Sequence, residues 1–176
     1  MARKIENSDK KNNANRTIFI EKIVLSVRGV DKELEKGVKL LKNISKKQPS
    51  KRMSMKRIPG FGVRPKLEVG AMVTLRGKTA TDLLKRLLAA GDNQLKKKQI
   101  EANHFSFGIP EYIEIPGEEY DREIGIIGFG VTVIFARKGK RVARRKIKQN
   151  KLPEKQKVTP EEIIKFMKLN FKTSFK

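Results

Sequence analysis

Lys46, Lys47, Lys51, Arg52, Lys56 and Arg57 set six cations within residues 46–57, and no acid stands among them. Residues 137–157 carry eleven more, Arg141, Arg144, Arg145 and Lys146 included, against one acid, Glu154. These two blocks hold most of the net charge of +23 on a chain of 176 residues. Cations at this density repel one another unless a polyanion neutralises them. Nucleic acid is the polyanion that fits, because each phosphate contact releases condensed counterions and so favours binding. Phe61 stands between Gly60 and Gly62, with Arg64 just after. An aromatic on a basic, glycine-bearing loop can stack on an unpaired base or ribose. The same ring could instead anchor the loop in the core.

Other chemistries find few residues to work with. There is no Cys, so neither a disulfide framework nor a thiolate metal site can form. His104 is the single histidine, and it reads as a surface or packing residue rather than a catalytic or metal-binding one. Glu118, Glu119 and Asp121 lie close together, but on an apparent turn without pocket-forming neighbours, which points to a protein contact rather than acid–base catalysis. Gly125, Gly128 and Gly130 sit in an apolar run with no following helix and no Lys-Ser/Thr pair. Bulges or close strand packing explain them better than a phosphate cradle. No apolar run reaches the roughly 18 residues of a membrane span, and the basic segment 137–157 lacks an apolar helical face for lipid. The expectation is a cytoplasmic protein with no cofactor, no metal, no membrane partner and no catalytic centre.

Elements must hold these residues in place. Residues 1–16 read as a flexible tail and residues 17–176 as one domain. Alternation predicts a strand over 17–28, bent near Glu21 and Lys22. Asp31 as N-cap and apolar residues at Leu34, Val38 and Leu41 predict a helix of about fifteen residues ending near Lys46 and Lys47. Residues 46–66, with Pro49, Pro59, Gly60, Gly62 and Pro65, read as a long basic loop. A strand over 69–76 follows, then a helix opened by a capping box of Thr79 and Asp82 and closed near Gly91. Strands are expected over 104–115, broken at Pro110, and over 124–136. Thr159, Pro160 and Glu162 predict a helix from about 160. The basic segment 137–157 is then a loop held at both ends. The sum is an α+β fold, an antiparallel or mixed sheet with helices on one face and two long basic loops.

Two stretches carry a resemblance. One runs Pro49…Lys56-Arg57-Ile58…Phe61-Gly62-Val63-Arg64…Val69-Gly70…Val73-Thr74-Leu75-Arg76-Gly77. The other runs Phe105-Ser106-Phe107-Gly108-Ile109, then Ile113…Ile115-Pro116-Gly117…Tyr120-Asp121…Ile124-Gly125-Ile126…Gly128. Together they resemble large-ribosomal-subunit protein five, the universal 5S rRNA-binding family. The ending, with its basic run and Thr159-Pro160-Glu161-Glu162, is similar to the archaeal and eukaryotic branch.

The resemblance implies a structural constituent of the large ribosomal subunit, sited in the central protuberance. Its implied partners are 5S rRNA, adjacent large-subunit rRNA, P-site tRNA, large-subunit protein eighteen and, across an intersubunit bridge, small-subunit protein thirteen. Family residues that meet 5S rRNA correspond to Ser26, Lys47, Phe61, Thr74 and Arg76, and charge adds Arg64. The tRNA-facing loop corresponds to 51–60, with Lys51, Arg52, Lys56 and Arg57. Arg141, Arg144, Arg145 and Lys146 are the expected large-subunit rRNA contacts of the second block. The chain departs from the family's usual pattern in having Ser26 and Arg28 for Asn and Gly, and Lys46 and Lys47 for a Gly-Gln pair. Pro65 and Lys66 likewise replace a basic-Gly pair. A free-standing RNA chaperone or regulator would carry the same basic loops, and co-sedimentation with large subunits at high salt separates the two readings.

Overall fold

The computed structural model describes residues 14–176. The expected tail therefore lies outside the described residues up to residue 13, and Ala14–Arg16 form a single 3-10 turn. Strand β1, Ile18–Arg28, is the spine of the fold. It pairs antiparallel with β3 (Glu68–Leu75) on one side and with β7 (Phe129–Arg137) on the other. Its register shifts between Ile20 and Lys22, where the sequence placed a bend. Beyond the bulge Ile23, Leu25 and Val27 turn inward and are buried. Alternation then puts Val24 and Ser26 on the opposite, outer face.

The six-stranded sheet runs β2-β3-β1-β7-β6-β5, every pairing antiparallel. Here β2 is Ser50–Met53, β5 is Ile100–Glu101 and β6 is His104–Ile109. A separate parallel pair, β4 (Gln94–Leu95) with β8 (Ser174–Phe175), ties down the last residues. Helices α1 (Lys32–Ser45), α2 (Lys78–Ala90) and α4 (Pro160–Phe171) send Leu40, Leu41, Leu84, Leu87, Ile163 and Met167 into one apolar core against the inner face. Gly37 lets α1 approach the sheet closely, since a Cβ there would collide with Val27 Cγ1. Phe166 of α4 meets Phe135 of β7 edge-on at 5.6 Å between ring centres. The expected α+β layering, with helices on one sheet face, is the observed one.

Several local expectations need correction. Asp31 occupies the N-cap of α1 but makes no side-chain cap. Its backbone, at φ 49° and ψ −117°, lies outside the extended region from which a cap reaches the first-turn N–H groups. Thr79 opens no capping box either: α2 starts at Lys78 with Gly77 as N-cap, and Thr79 Oγ1 donates to the Arg76 carbonyl at 3.1 Å. The last helix starts as expected, with Pro160 in its first turn and the Thr159 N–H donating to Glu162 Oε2 at 3.1 Å.

The run 124–136 is strand only from Phe129. Ile124 and Gly125 close a turn on the Asp121 carbonyl, and Gly125 sits at φ +72°, so this stretch anchors by burying Ile124 rather than by strand pairing. Close packing does account for Gly128, where a Cβ would be 2.7 Å from the Pro110 carbonyl. Residues 46–66 are not simply a loop. Ser50–Met53 pair with β3 and make a hairpin, whose wide tip closes again through reciprocal bonds between Ile58 and Val63, 2.9 and 3.1 Å. The exposed, cationic composition that hides this strand from periodicity suits a sheet edge.

Candidate nucleic-acid interface

No helix covers the outer face of the sheet in the pairings and core contacts of the described residues, and hydroxyls and glycines lie there among Val24, Met72 and Ile134. Val24 faces Thr74 on one side and Thr132 on the other, and Thr132 faces Ser106. The next row runs Ser50, Met72, Ser26, Gly130, Gly108. Ser26 Oγ lies 3.4 Å from the Gly130 carbonyl, and a Cβ at Gly130 would approach that hydroxyl to 3.1 Å. The row through Ser26, Gly130 and Gly108 is thus low, with hydroxyls and bare peptide groups that an RNA backbone can lie against.

Ser26 and Thr74 share this face, in adjacent rows of neighbouring strands. Arg76 follows directly at the end of β3, exposed and with no acid partner among the described residues. Lys47 lies just beyond α1, and its N–H bonds Ser45 Oγ at 3.2 Å. Arg52 belongs with this group rather than with the hairpin tip. It sits opposite Gly70 and lays its guanidinium on Met72 Sδ, with Nε at 3.0 Å and Nη2 at 2.8 Å. Lys51 is also part of the strand, and its Nζ is 2.6 Å from Glu68 Oε2. The hydrogen bond and charge of Glu68 hold that ammonium above the usual lysine range. Of the four cations assigned to the tRNA-facing loop, only Lys56 and Arg57 lie in the tip.

Phe61 is 81% exposed at that tip, so it does not anchor the hairpin; Val63 is the buried residue there. Arg64 is exposed beside it. Phe61 and Arg64 are not neighbours of Arg76, because the length of β3 separates them, roughly 23 Å at about 3.3 Å per residue. The expected residues therefore form an extended strip, from Arg76 over the sheet to the hairpin tip. Thr132 and Ser106 belong to it too, although the sequence alone does not single them out. The available signal was the run of small residues at alternate positions, Ser106 and Gly108 in one strand and Gly130 and Thr132 in the other.

The second block leaves the sheet at the opposite end, where β7 passes Ile18. Arg137 is not a free cation of this block: its guanidinium is nearly buried and both carboxylate oxygens of Glu162 lie 2.5 Å from Nη2. Burial raises the pKa of Glu162, but the Thr159 N–H and Arg137 outweigh it and hold the carboxyl below its ordinary value. A short helix, α3 (Arg141–Arg144), returns to the bulge of β1. There the almost buried Glu21 takes Lys140 at 2.6 Å and also pairs with Arg144. Arg145 Nε donates to the Lys148 carbonyl at 2.6 Å, while Arg141 and Lys146 extend into solvent. So Arg144 partly fastens the segment, and Arg141, Arg145 and Lys146 are its outward charges.

The acidic turn is tied down within the chain. Glu118 meets Arg86 of α2 at 2.7 Å and Glu123 meets Lys39 of α1 at 2.7 Å. Two of its carboxylates thus serve the fold. His104 is half-exposed on β6, 3.5 Å from Glu101.

Comparison with known proteins identifies the family of the chain. Residues 68–166 match the C-terminus of the ribosomal L5 family. The large ribosomal subunit protein uL5 of Nanoarchaeum equitans is 42% identical over 155 residues, 86% of this chain and 91% of that protein. The uL5 of Methanoregula boonei is 38% identical over 89% of this chain and 96% of its own length. The uL5 of Archaeoglobus fulgidus is 36% identical over 93% and 94% respectively.

Proposed function

Because the chain belongs to the ribosomal L5 family, in its archaeal-type branch, we propose that its outer sheet face binds 5S rRNA while its two basic extensions reach other RNAs. Family membership makes it a structural, non-enzymatic constituent of the large ribosomal subunit, working on cytoplasmic ribosomes. The observation that carries the finer reading is the uncovered face that carries the hydroxyls of Ser26, Thr74, Thr132 and Ser106, bounded by Arg52 and Arg76. Bare peptide groups and hydroxyls suit the shape and 2′-OH recognition of RNA, and the bordering guanidinia suit its phosphates.

The hairpin tip, with Lys56 and Arg57 and also Phe61 and Arg64, which the sequence alone places on 5S rRNA, extends past the sheet and contacts P-site tRNA. Backbone contacts and one exposed ring make no demand on sequence, so every tRNA is accepted. The segment 138–157 lies on adjacent large-subunit rRNA. Large-subunit protein eighteen and small-subunit protein thirteen are the protein neighbours this reading implies, the second across an intersubunit bridge.

Titration of 5S rRNA tests the assignment. Arg76→Ala weakens binding several-fold and lowers the slope of log K against log salt by about 1. Ser26→Ala with Thr74→Val weakens it without changing that slope. Unchanged affinity in both variants across salt concentrations would place 5S rRNA on another surface.

A further inference from the structure

Beneath the second basic block lies a cavity of about 420 Å³, within the roughly 300–1,000 Å³ of small-ligand sites. Its apolar lining is Phe135, Ala136, Ala143 and Leu152. Its charged lining is Arg137, Lys140, Lys151 and Lys157, of which Arg137, Lys140 and Lys157 pair with Glu162, Glu21 and Glu154 outside the lining. Asn103 and Gln156 complete it. Asn103 Oδ1 accepts the Val158 N–H at 2.8 Å, and Gln156 Nε2 donates to the Lys138 carbonyl at 2.9 Å. Each amide therefore keeps its other polar atom without a partner among the described residues. Arg137, itself more than nine-tenths buried, leaves Nε without an acceptor. Lys151 has no ion pair among the described residues.

We propose that this cavity takes one unstacked nucleotide of the rRNA on which the segment 138–157 lies. The inference rests on the reading of that segment as an rRNA contact. The base enters over Ala143 and Leu152, where a flat ring replaces water on an apolar surface. The free amide atoms of Asn103 and Gln156 meet its edge. Its phosphate stays at the mouth near Lys151, with Lys157, held loosely by Glu154, beside it. Phosphate contacts alone give affinity and register, whereas a base in a shaped pocket fixes which point of the RNA is held. The two pairs that Glu21 makes with Lys140 and Arg144 keep the roof of the cavity in place before RNA arrives.

The probes are adenosine 5′-monophosphate, uridine 5′-monophosphate, inorganic phosphate and adenosine, each titrated into the full chain. The readout is the methyl NMR signals of Ala136, Ala143 and Leu152. A mononucleotide shifts these signals saturably, and phosphate or nucleoside alone does so at least tenfold more weakly. Ala143→Phe fills the cavity without changing charge, and Lys151→Gln removes an unpaired cation from its mouth. Each abolishes or weakens the mononucleotide shifts at least tenfold while far-ultraviolet circular dichroism stays that of the parent. Phosphate acting as strongly as the mononucleotides would make this a plain anion site and overturn the proposal, as would no saturable shift. Binding of a large-subunit rRNA fragment separates the underlying reading. Loss of binding in Arg145→Gln/Lys146→Gln with parent-like binding in Ala143→Phe retains the segment as an RNA contact and rejects the pocket. Parent-like binding in Arg145→Gln/Lys146→Gln rejects the segment as an RNA contact.

Discussion

Arg137 shows how little a residue's charge says about its role. It belongs to the basic block by position, yet it is nearly buried and clamped by Glu162. The consequence is a pH dependence with a definite sign. The pKa of Glu162 is lowered in the folded state, so its contribution to stability is full above the ordinary glutamate value and is lost as pH falls through the folded one. Glu162→Gln lowers stability at neutral pH by about 1–3 kcal/mol, because Arg137 is left buried without its counter-charge, discounted for the partial exposure of Glu162. It also flattens the fall in Tm as pH drops through the acidic range. Melts of the two proteins across that range check both effects; parallel curves would show that Glu162 contributes no acid sensitivity. Phe61 is the opposite case, an apolar residue whose exposure leaves it free for a partner. Phe61→Ala leaves Tm unchanged and, if the ring stacks on RNA, costs about 1–3 kcal/mol of binding.

At the scale of elements, the hairpin divides cleanly. Its arms belong to the sheet through β2, and the ladder persists to Ser54, whose N–H bonds the Leu67 carbonyl at 2.8 Å. Beyond that the tip bonds mainly to itself. Deleting 51–60 would therefore remove an edge strand along with the tip and test nothing cleanly. Replacing Met55–Pro65 by Asn-Gly, which favours a tight two-residue hairpin, keeps β2 in place. That variant retains its melting temperature within about 4 °C, an effect of no more than roughly 1 kcal/mol, and retains 5S rRNA affinity. Toe-printing or cross-linking on assembled ribosomes then reads a weakened tRNA contact. Loss of 5S rRNA binding with the fold intact would instead make the tip part of the 5S rRNA surface. The last helix could be read from sequence in detail because Thr159, Pro160 and Glu162 act within one turn. Strand β2 could not, since its pairing partner lies across a long tip and its own residues are all exposed.

At the scale of the whole molecule, the two cationic blocks leave opposite ends of β1, roughly 33 Å apart at about 3.3 Å per residue. One RNA surface need not serve both. Replacing Arg141, Arg145 and Lys146 by Gln lowers the salt slope for a large-subunit rRNA fragment by about 0.7–0.9 for each phosphate no longer neutralised, and leaves 5S rRNA affinity as it was. An equal weakening for 5S rRNA would mean that the blocks share a ligand. The sequence by itself determined the polyanion, the α+β layering, the main helices and strands, and the family. Charge density and apolar period are properties of neighbouring residues and survive without coordinates. Tertiary structure alone decided which cations are free. Arg137, Arg144 and Lys51 meet Glu162, Glu21 and Glu68, partners 17 or more residues away in sequence. It likewise moved Arg52 onto the sheet and assembled Ser26, Thr74, Thr132 and Ser106 from four strands into one face. Alternation tells which face a residue takes, but strand order and register decide which residues of other strands it meets, and these are settled only when the strands pair.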